Sequence, residues 1–167
     1  GSNYGFGAET IALGDIDSDG DIDLMSSGVS LQTEVRLNDG AGGFGTDTAA
    51  GSLGGGAGAL AFGDIDSDGD LDLLSGGGDV QTQLRLNDGS GTFSADSALG
   101  SLGTGAEAIG LGDIDLDGDL DVITAAGQLQ TQIRTNHGNA TFGTALTYTN
   151  LGSGAEALAT SPAQIAN

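Results

Sequence analysis

Three nine-residue segments hold most of the chemistry this chain could perform. They read DIDSDGDID at 15–23, DIDSDGDLD at 64–72 and DIDLDGDLD at 113–121. Each places aspartate at positions 1, 3, 5, 7 and 9 around a glycine at position 6. The first offers Asp15, Asp17, Asp19, Asp21 and Asp23 around Gly20. The second offers Asp64, Asp66, Asp68, Asp70 and Asp72 around Gly69, and the third Asp113, Asp115, Asp117, Asp119 and Asp121 around Gly118. Hard cations prefer oxygen, and calcium accepts six to eight oxygens in a flexible geometry. Odd-position spacing in a tight loop lets carboxylates converge, and glycine permits the reversal. Magnesium demands a stricter octahedron and keeps its waters, so the expected cofactor is Ca2+, one ion per loop. Position 7 is expected to serve through its backbone carbonyl, and the apolar position 8 (Ile22, Leu71, Leu120) to plug the core.

A single acidic loop is ordinarily solvated surface. Three aligned copies argue otherwise, and they contain 15 of the 24 acidic residues in a chain of net charge −21. Carboxylates packed this closely repel one another unless a cation neutralises them. The loops are not EF-hands, which need a bidentate glutamate at position 12; that position holds Ser26, Ser75 and Thr124. Five protein donors per loop leave little room for a substrate, so the ions are expected to be structural.

The loops belong to a longer repeat. IALGDIDSDGDIDLMSSGVSLQTEVRLNDG from Ile11 recurs from Leu60 and again from Ile109, with a step of 49 residues both times. Each unit shows short apolar runs separated by turn chemistry. Leu31, Thr33, Val35 and Leu37 alternate with polar residues, as in a half-buried strand. Asn38-Asp39-Gly40 is a turn sequence, after which Phe44 is expected to anchor a fourth strand. Four strands in about 40–50 residues is the signature of a propeller blade. The expected fold is therefore all-β: one repeat domain of β-propeller blades, each of four antiparallel strands. The blades span about 4–52, 53–101 and 102–150, and a duplicated first strand of a degenerate fourth unit spans about 151–160. Propellers close with about 4–8 blades. The ring is thus expected to be completed by self-association into a dimer of three-blade chains, or the chain is a fragment of a longer propeller.

The pattern GDIDSDGDIDL … LNDGAGGF resembles the FG-GAP/VCBS repeats of bacterial surface proteins and of the integrin alpha propeller. The resemblance covers roughly residues 4–160. It implies a β-propeller with calcium in the loop between the first two strands of each blade, used in adhesion or ligand binding outside the cell. The family's metal positions fall on all three loops. His137 departs from the pattern, replacing the turn aspartate of Asp39 and Asp88.

Other functions find little material. A net charge of −21 repels phosphate backbones and anionic membranes, and no apolar run is long enough to span a bilayer. There is no cysteine, no lysine and one histidine, so no enzyme is expected. The candidate ligand-reading set is the strand ladder Gln32, Arg36 and Asn38 with its copies Gln81, Arg85, Asn87 and Gln130, Arg134, Asn136. A forked guanidinium flanked by amides suits sugar hydroxyls or carboxylates, although the same residues could bridge neighbouring blades. Two readings follow. One is a calcium-stabilised adhesion or scaffold module, extracellular or on a bacterial cell surface, with a protein partner. The other is a lectin-like propeller with a glycan ligand.

Overall fold

A computed structural model describes residues 7–28, 31–45, 56–77, 80–94, 105–125 and 131–148. The chain forms ten strands and no helix among these residues. They are β1 (Thr10–Gly14), β2 (Asp23–Gly28), β3 (Leu31–Arg36), β4 (Ala59–Gly63), β5 (Asp72–Gly77), β6 (Val80–Arg85), β7 (Ala108–Gly112), β8 (Asp121–Ala125), β9 (Thr131–Arg134) and β10 (Leu146–Tyr148). Pairing is antiparallel throughout, giving the sheets β1-β2-β3, β4-β5-β6 and β7-β8-β9-β10. Each 49-residue repeat thus builds one sheet.

Register fixes where the acidic loops sit. Gly14 pairs with Asp23, Gly63 with Asp72 and Gly112 with Asp121, so each loop joins the first two strands of its sheet and ends on the first residue of the second strand. The second and third strands slip register between Ser26 and Gly28 and between Ser75 and Gly77, the mark of a β-bulge.

The fourth strand departs from expectation. Phe44, Phe93 and Phe142 form single bridges to Asn38, Asn87 and Asn136 rather than strands. The bridge is the same where the flanking residues are Gly43 and Gly45 and where they are Thr92 and Ser94, and in each the turn is closed by the amide after the asparagine, Asp39 on Gly43 and Asp88 on Thr92. A fourth strand occurs in the third repeat, as β10, where Leu146 pairs with Ile133. The corresponding stretches of the first two repeats, and the expected extra strand at 151–160, lie outside the described residues.

The hydrophobic core lies between the sheets. Ile16, Met25 and Val35 of the first repeat enclose Leu73 of the second, with Leu60 and Phe62 of the second packed alongside. Ile65, Leu74 and Leu84 of the second repeat enclose Val122 of the third, with Ile109, Leu111 and Leu120 alongside. In the first two repeats the isoleucine at loop position 2 is therefore the fully buried plug. Position 8 was expected in that role; instead Leu71 and Leu120 lie against the preceding repeat and Ile22 is exposed. A sheet with one apolar face must bury it against another element, and here that element is the next repeat. The first strands β1, β4 and β7 stand side by side in series and line a groove of about 300 Å³. Among the described residues no closed ring is seen.

Polar bonds lock the same junctions. The Asn87 side-chain amide donates to the carbonyls of Leu71, at 3.2 Å in its own repeat, and Ile16, at 2.7 Å in the preceding one. Asn136 does the same with Leu120 at 3.3 Å and Ile65 at 2.7 Å. Both asparagines are buried, whereas Asn38, in the first repeat, reaches only the Ile22 carbonyl. Replacing Asn87 by alanine leaves two carbonyls without their donor and is expected to destabilise the chain by about 1–3 kcal/mol. Asn38→Ala is expected to cost less. Urea denaturation of both variants in calcium checks the ranking.

Candidate metal centre

Each loop is preformed by its own backbone. Position 1 accepts from the amides of positions 5 and 6: Asp15 from Asp19 and Gly20 at 3.0 and 3.0 Å, Asp64 from Asp68 and Gly69 at 3.0 and 3.1 Å, Asp113 from Asp117 and Gly118 at 3.1 and 3.2 Å. Position 5 accepts the amide of position 7 at 2.9, 3.0 and 3.0 Å. The reversal needs positive φ at position 6, with Gly20, Gly69 and Gly118 at 96°, 98° and 99°. It also needs it at position 4, where Ser18, Ser67 and Leu116 adopt 59°, 64° and 63°.

Position 9 fastens the loop to its sheet. Both oxygens of Asp23 accept backbone amides, from Ile16 at 2.7 Å and Asn38 at 2.7 Å. Asp72 takes Ile65 and Asn87 at 2.8 and 2.9 Å, and Asp121 takes Ile114 and Asn136 at 2.7 and 2.8 Å. All three carboxylates are fully buried. One side chain thus clips the start of the loop to the exit of the third strand.

The structure gathers Asp15, Asp17 and Asp19 in the first loop, Asp64, Asp66 and Asp72 in the second, and Asp113, Asp115 and Asp121 in the third; in each trio the facing carboxylate oxygens lie within 4.8 Å of one another. Positions 1, 3, 5 and 9 thereby supply the converging oxygens. The position 7 carboxylates point elsewhere, as expected of a position that serves through its carbonyl: Asp21, Asp70 and Asp119 lie against the turn glycines Gly40, Gly89 and Gly138. There Asp70 accepts the Ser18 hydroxyl at 3.3 Å and Asp119 that of Ser67 at 3.1 Å, each from the repeat before.

The residues fit a hard cation. Asp17 and Asp66 each bury one carboxylate oxygen that has no hydrogen-bond partner. An unsatisfied anionic oxygen beside other carboxylates is costly unless a positive charge meets it. Burial first, and then neighbouring carboxylates, pushes Asp17, Asp66 and Asp115 above the ordinary aspartate range. Burial pushes Asp72 up to about 6. Asp39 and Asp88, in the solvated turns, go the other way. Backbone amides of Gly43 and Ala41 hold Asp39 low, and the Ser90 hydroxyl does so for Asp88.

The strand ladder is engaged within the chain. Arg36, Arg85 and Arg134 each donate to a carbonyl nine residues on, at Gly45, Ser94 and Gly143, over 3.4, 3.4 and 3.3 Å. They fasten the hairpin that carries the bridging phenylalanine. Arg36 also pairs with Glu34 at 3.3 Å. Asn38, Asn87 and Asn136 are the partners of position 9. The side chains of Gln32 and Gln81, and all of Gln130, lie outside the described residues. Sequence reasoning missed the clip from position 9 to this asparagine; the shared 49-residue register of the two residue types was the available signal.

Metal and pH should act in opposition. In the metal-free chain Asp72 keeps its proton when folded and has released it when unfolded, between 3.8 and about 6. The unfolded state then binds fewer protons, so metal-free stability falls as pH rises through that interval. Calcium binds the ionised carboxylates, so in millimolar calcium stability is expected to rise over the same interval. Thermal melts across pH with calcium and with chelator check both slopes. Asp66→Asn removes a charge from one cradle, and calorimetric titration is expected to show one of three sites weakened by about tenfold or more.

The comparisons agree with this repeat architecture. The model of the FG-GAP-like repeat matches twice, over residues 15–75 and 64–124. A solved structure of an Agrocybe aegerita lectin, described as specifically recognising non-reducing terminal N-acetylglucosamine, is similar in fold with a TM-score of 0.65 at 24% identity. The match covers 85% of this chain and 38% of the lectin, so the chain spans well under half of that protein's length. No curated protein sequence matches the chain. On the repeat match, with its acidic loop in the same place in every sheet, the chain belongs to the FG-GAP-like repeat family.

Proposed function

We propose that the chain is a calcium-stabilised set of β-propeller blades that binds carbohydrate outside the cell, on a bacterial surface or in the medium, without catalysing a reaction. One observation carries the ligand class: over 85% of its length the chain is similar in fold to a lectin that recognises terminal N-acetylglucosamine. The acidic cradles supply the rest of the reading. Position 3 oxygens buried without a partner suit a bound cation, and calcium reaches millimolar concentrations outside cells, where modules of this kind bind it at roughly 10⁻⁴–10⁻³ M. The ions act on shape. They hold each loop against its sheet, and the sheets then present whatever surface meets the sugar. Three repeats fall short of the roughly 4–8 that close a propeller, so the ring is completed by further repeats, from a second copy or from a longer chain.

A second reading has its own support. Arg85 is buried with its guanidinium on the Ser94 carbonyl, and Asn87 and Asn136 are spent on the junctions between sheets. A ladder engaged in this way favours a scaffold or adhesion module acting through protein contacts. A glycan array in millimolar calcium separates the two. The expected result is retention of glycans ending in N-acetylglucosamine, lost in chelator as the sheets loosen. Retention of no glycan in calcium would leave the scaffold reading. Loss of retention in the triple variant Arg36→Ala, Arg85→Ala and Arg134→Ala, with its melt in calcium unchanged, would assign the ladder to the sugar site.

A further inference from the structure

The two internal junctions show which surfaces mate. The trailing face of one repeat presents the loop position 2 isoleucine and the glycine that ends the first strand. The leading face of the next brings its first strand and the position 8 side chain. Ile16 and Ile65, on covered trailing faces, are fully buried. A Cβ added at Gly14 would meet Leu71 at 2.6 Å and Phe62 at 3.5 Å; at Gly63 it would meet Leu111 at 2.6 Å and Leu120 at 2.9 Å. Both glycines are sites where the following repeat comes too close for any side chain.

Each surface occurs once more, uncovered. The first repeat exposes its leading face, with Ile11 at 63%, Leu13 at 59% and Ile22 at 52%. The third repeat exposes its trailing face. Ile114 is 44% exposed, and a Cβ at Gly112 would meet nothing within 4 Å. Asn38 carries the same polar asymmetry: Asn87 and Asn136 each reach back to an isoleucine carbonyl of the preceding repeat, and Asn38 does not. Among the described residues, no asparagine reaches the corresponding carbonyl of Ile114.

We infer that the leading face of the first repeat docks on the trailing face of the third repeat of a second copy, head to tail. Leu13 and Ile22 then cover Gly112 and Ile114 as Phe62 and Leu71 cover Gly14, and Asn38 donates to the Ile114 carbonyl across the junction. A heterologous contact closes when its rotation returns to the start. One chain has too few repeats for a propeller, two have six and three exceed the usual range of about 4–8, so the closed form is two chains with two such junctions. The second copy is the occupant because the molecule already builds this contact twice from equivalent residues. One bond is missing at the new junction. Leu116, 86% exposed, stands where Ser18 and Ser67 donate to the next repeat's aspartate. The copies carry like charge, −21 each, so association requires calcium in the cradles that border the contact.

This inference rests on the propeller reading for the number of copies, and its test is independent of any sugar. In millimolar calcium, light scattering is expected to return twice the 16.2 kDa chain mass. Gly112→Leu places a side chain in open space within the chain and in the path of the second copy. It is expected to give single chains with an unchanged circular dichroism spectrum. Leu13→Asp, on the opposite face and already exposed, is expected to do the same. An equal mixture of the two variants leaves one junction intact and puts both substitutions in the other, so it is expected to give at most an open pair, weaker than the unmodified two-chain form. A single-chain mass for the unmodified protein in calcium overturns the inference. So does a two-chain Gly112→Leu variant. A single chain that retains glycans would remove this contact and leave the proposed function; a two-chain form that retains none would do the reverse.

Discussion

The constraint on which each repeat depends is a set of three carboxylates whose facing oxygens lie within 4.8 Å of one another. The backbone brings them there through specific bonds, so the repulsion is built in and recurs in every repeat. The position 1 carboxylate ties down the loop's second half, and the buried position 9 carboxylate ties the loop to the sheet. Neither can swing out to relieve the crowding without breaking those bonds. In the first two loops one oxygen of the position 3 carboxylate is then left buried with no donor. Each of the three clusters could hold a metal ion, whose charge would offset this crowding.

The acidic loops also govern how the repeats stack. Position 2 of the first two loops is the apolar plug between neighbouring sheets, and its carbonyl is the acceptor for the next repeat's asparagine. That asparagine's own backbone amide is held by position 9 of its own loop. A loop that loses its shape therefore loosens its own sheet and the contact with its neighbour together. Stability in such an array is shared between neighbours rather than owned by one unit. With only five phenylalanines, two tyrosines and no tryptophan in 167 residues, apolar burial per sheet is modest, so these polar and ionic links carry an unusual share.

Much of this was legible beforehand, for physical reasons. A repeat of fixed step exposes equivalent positions, so the loop aspartates, the position 6 glycine and the alternation of the third strand all stood out. The positive φ at Gly20, Gly69 and Gly118 is what that glycine predicts. What stayed hidden depends on neighbours. Position 2 and position 8 are both aliphatic, and only the stacking of sheets decides that Ile16 is enclosed while Ile22 lies open. The Phe44 strand failed because the turn after Asn38 closes on a single bridge, as it does at Phe93 and Phe142. The Arg and Asn ladder was visible as a pattern, but whether such groups face a ligand or the backbone is a matter of tertiary placement.

Position 4 of the loop has a consequence for chain order. In the first two repeats a serine there reaches forward to the following loop, whereas the third repeat carries Leu116 in the same left-handed conformation. The repeats are therefore not interchangeable beads. A third unit set between the other two would lack the serine-to-aspartate bond that both internal junctions make, as the junction between two copies does.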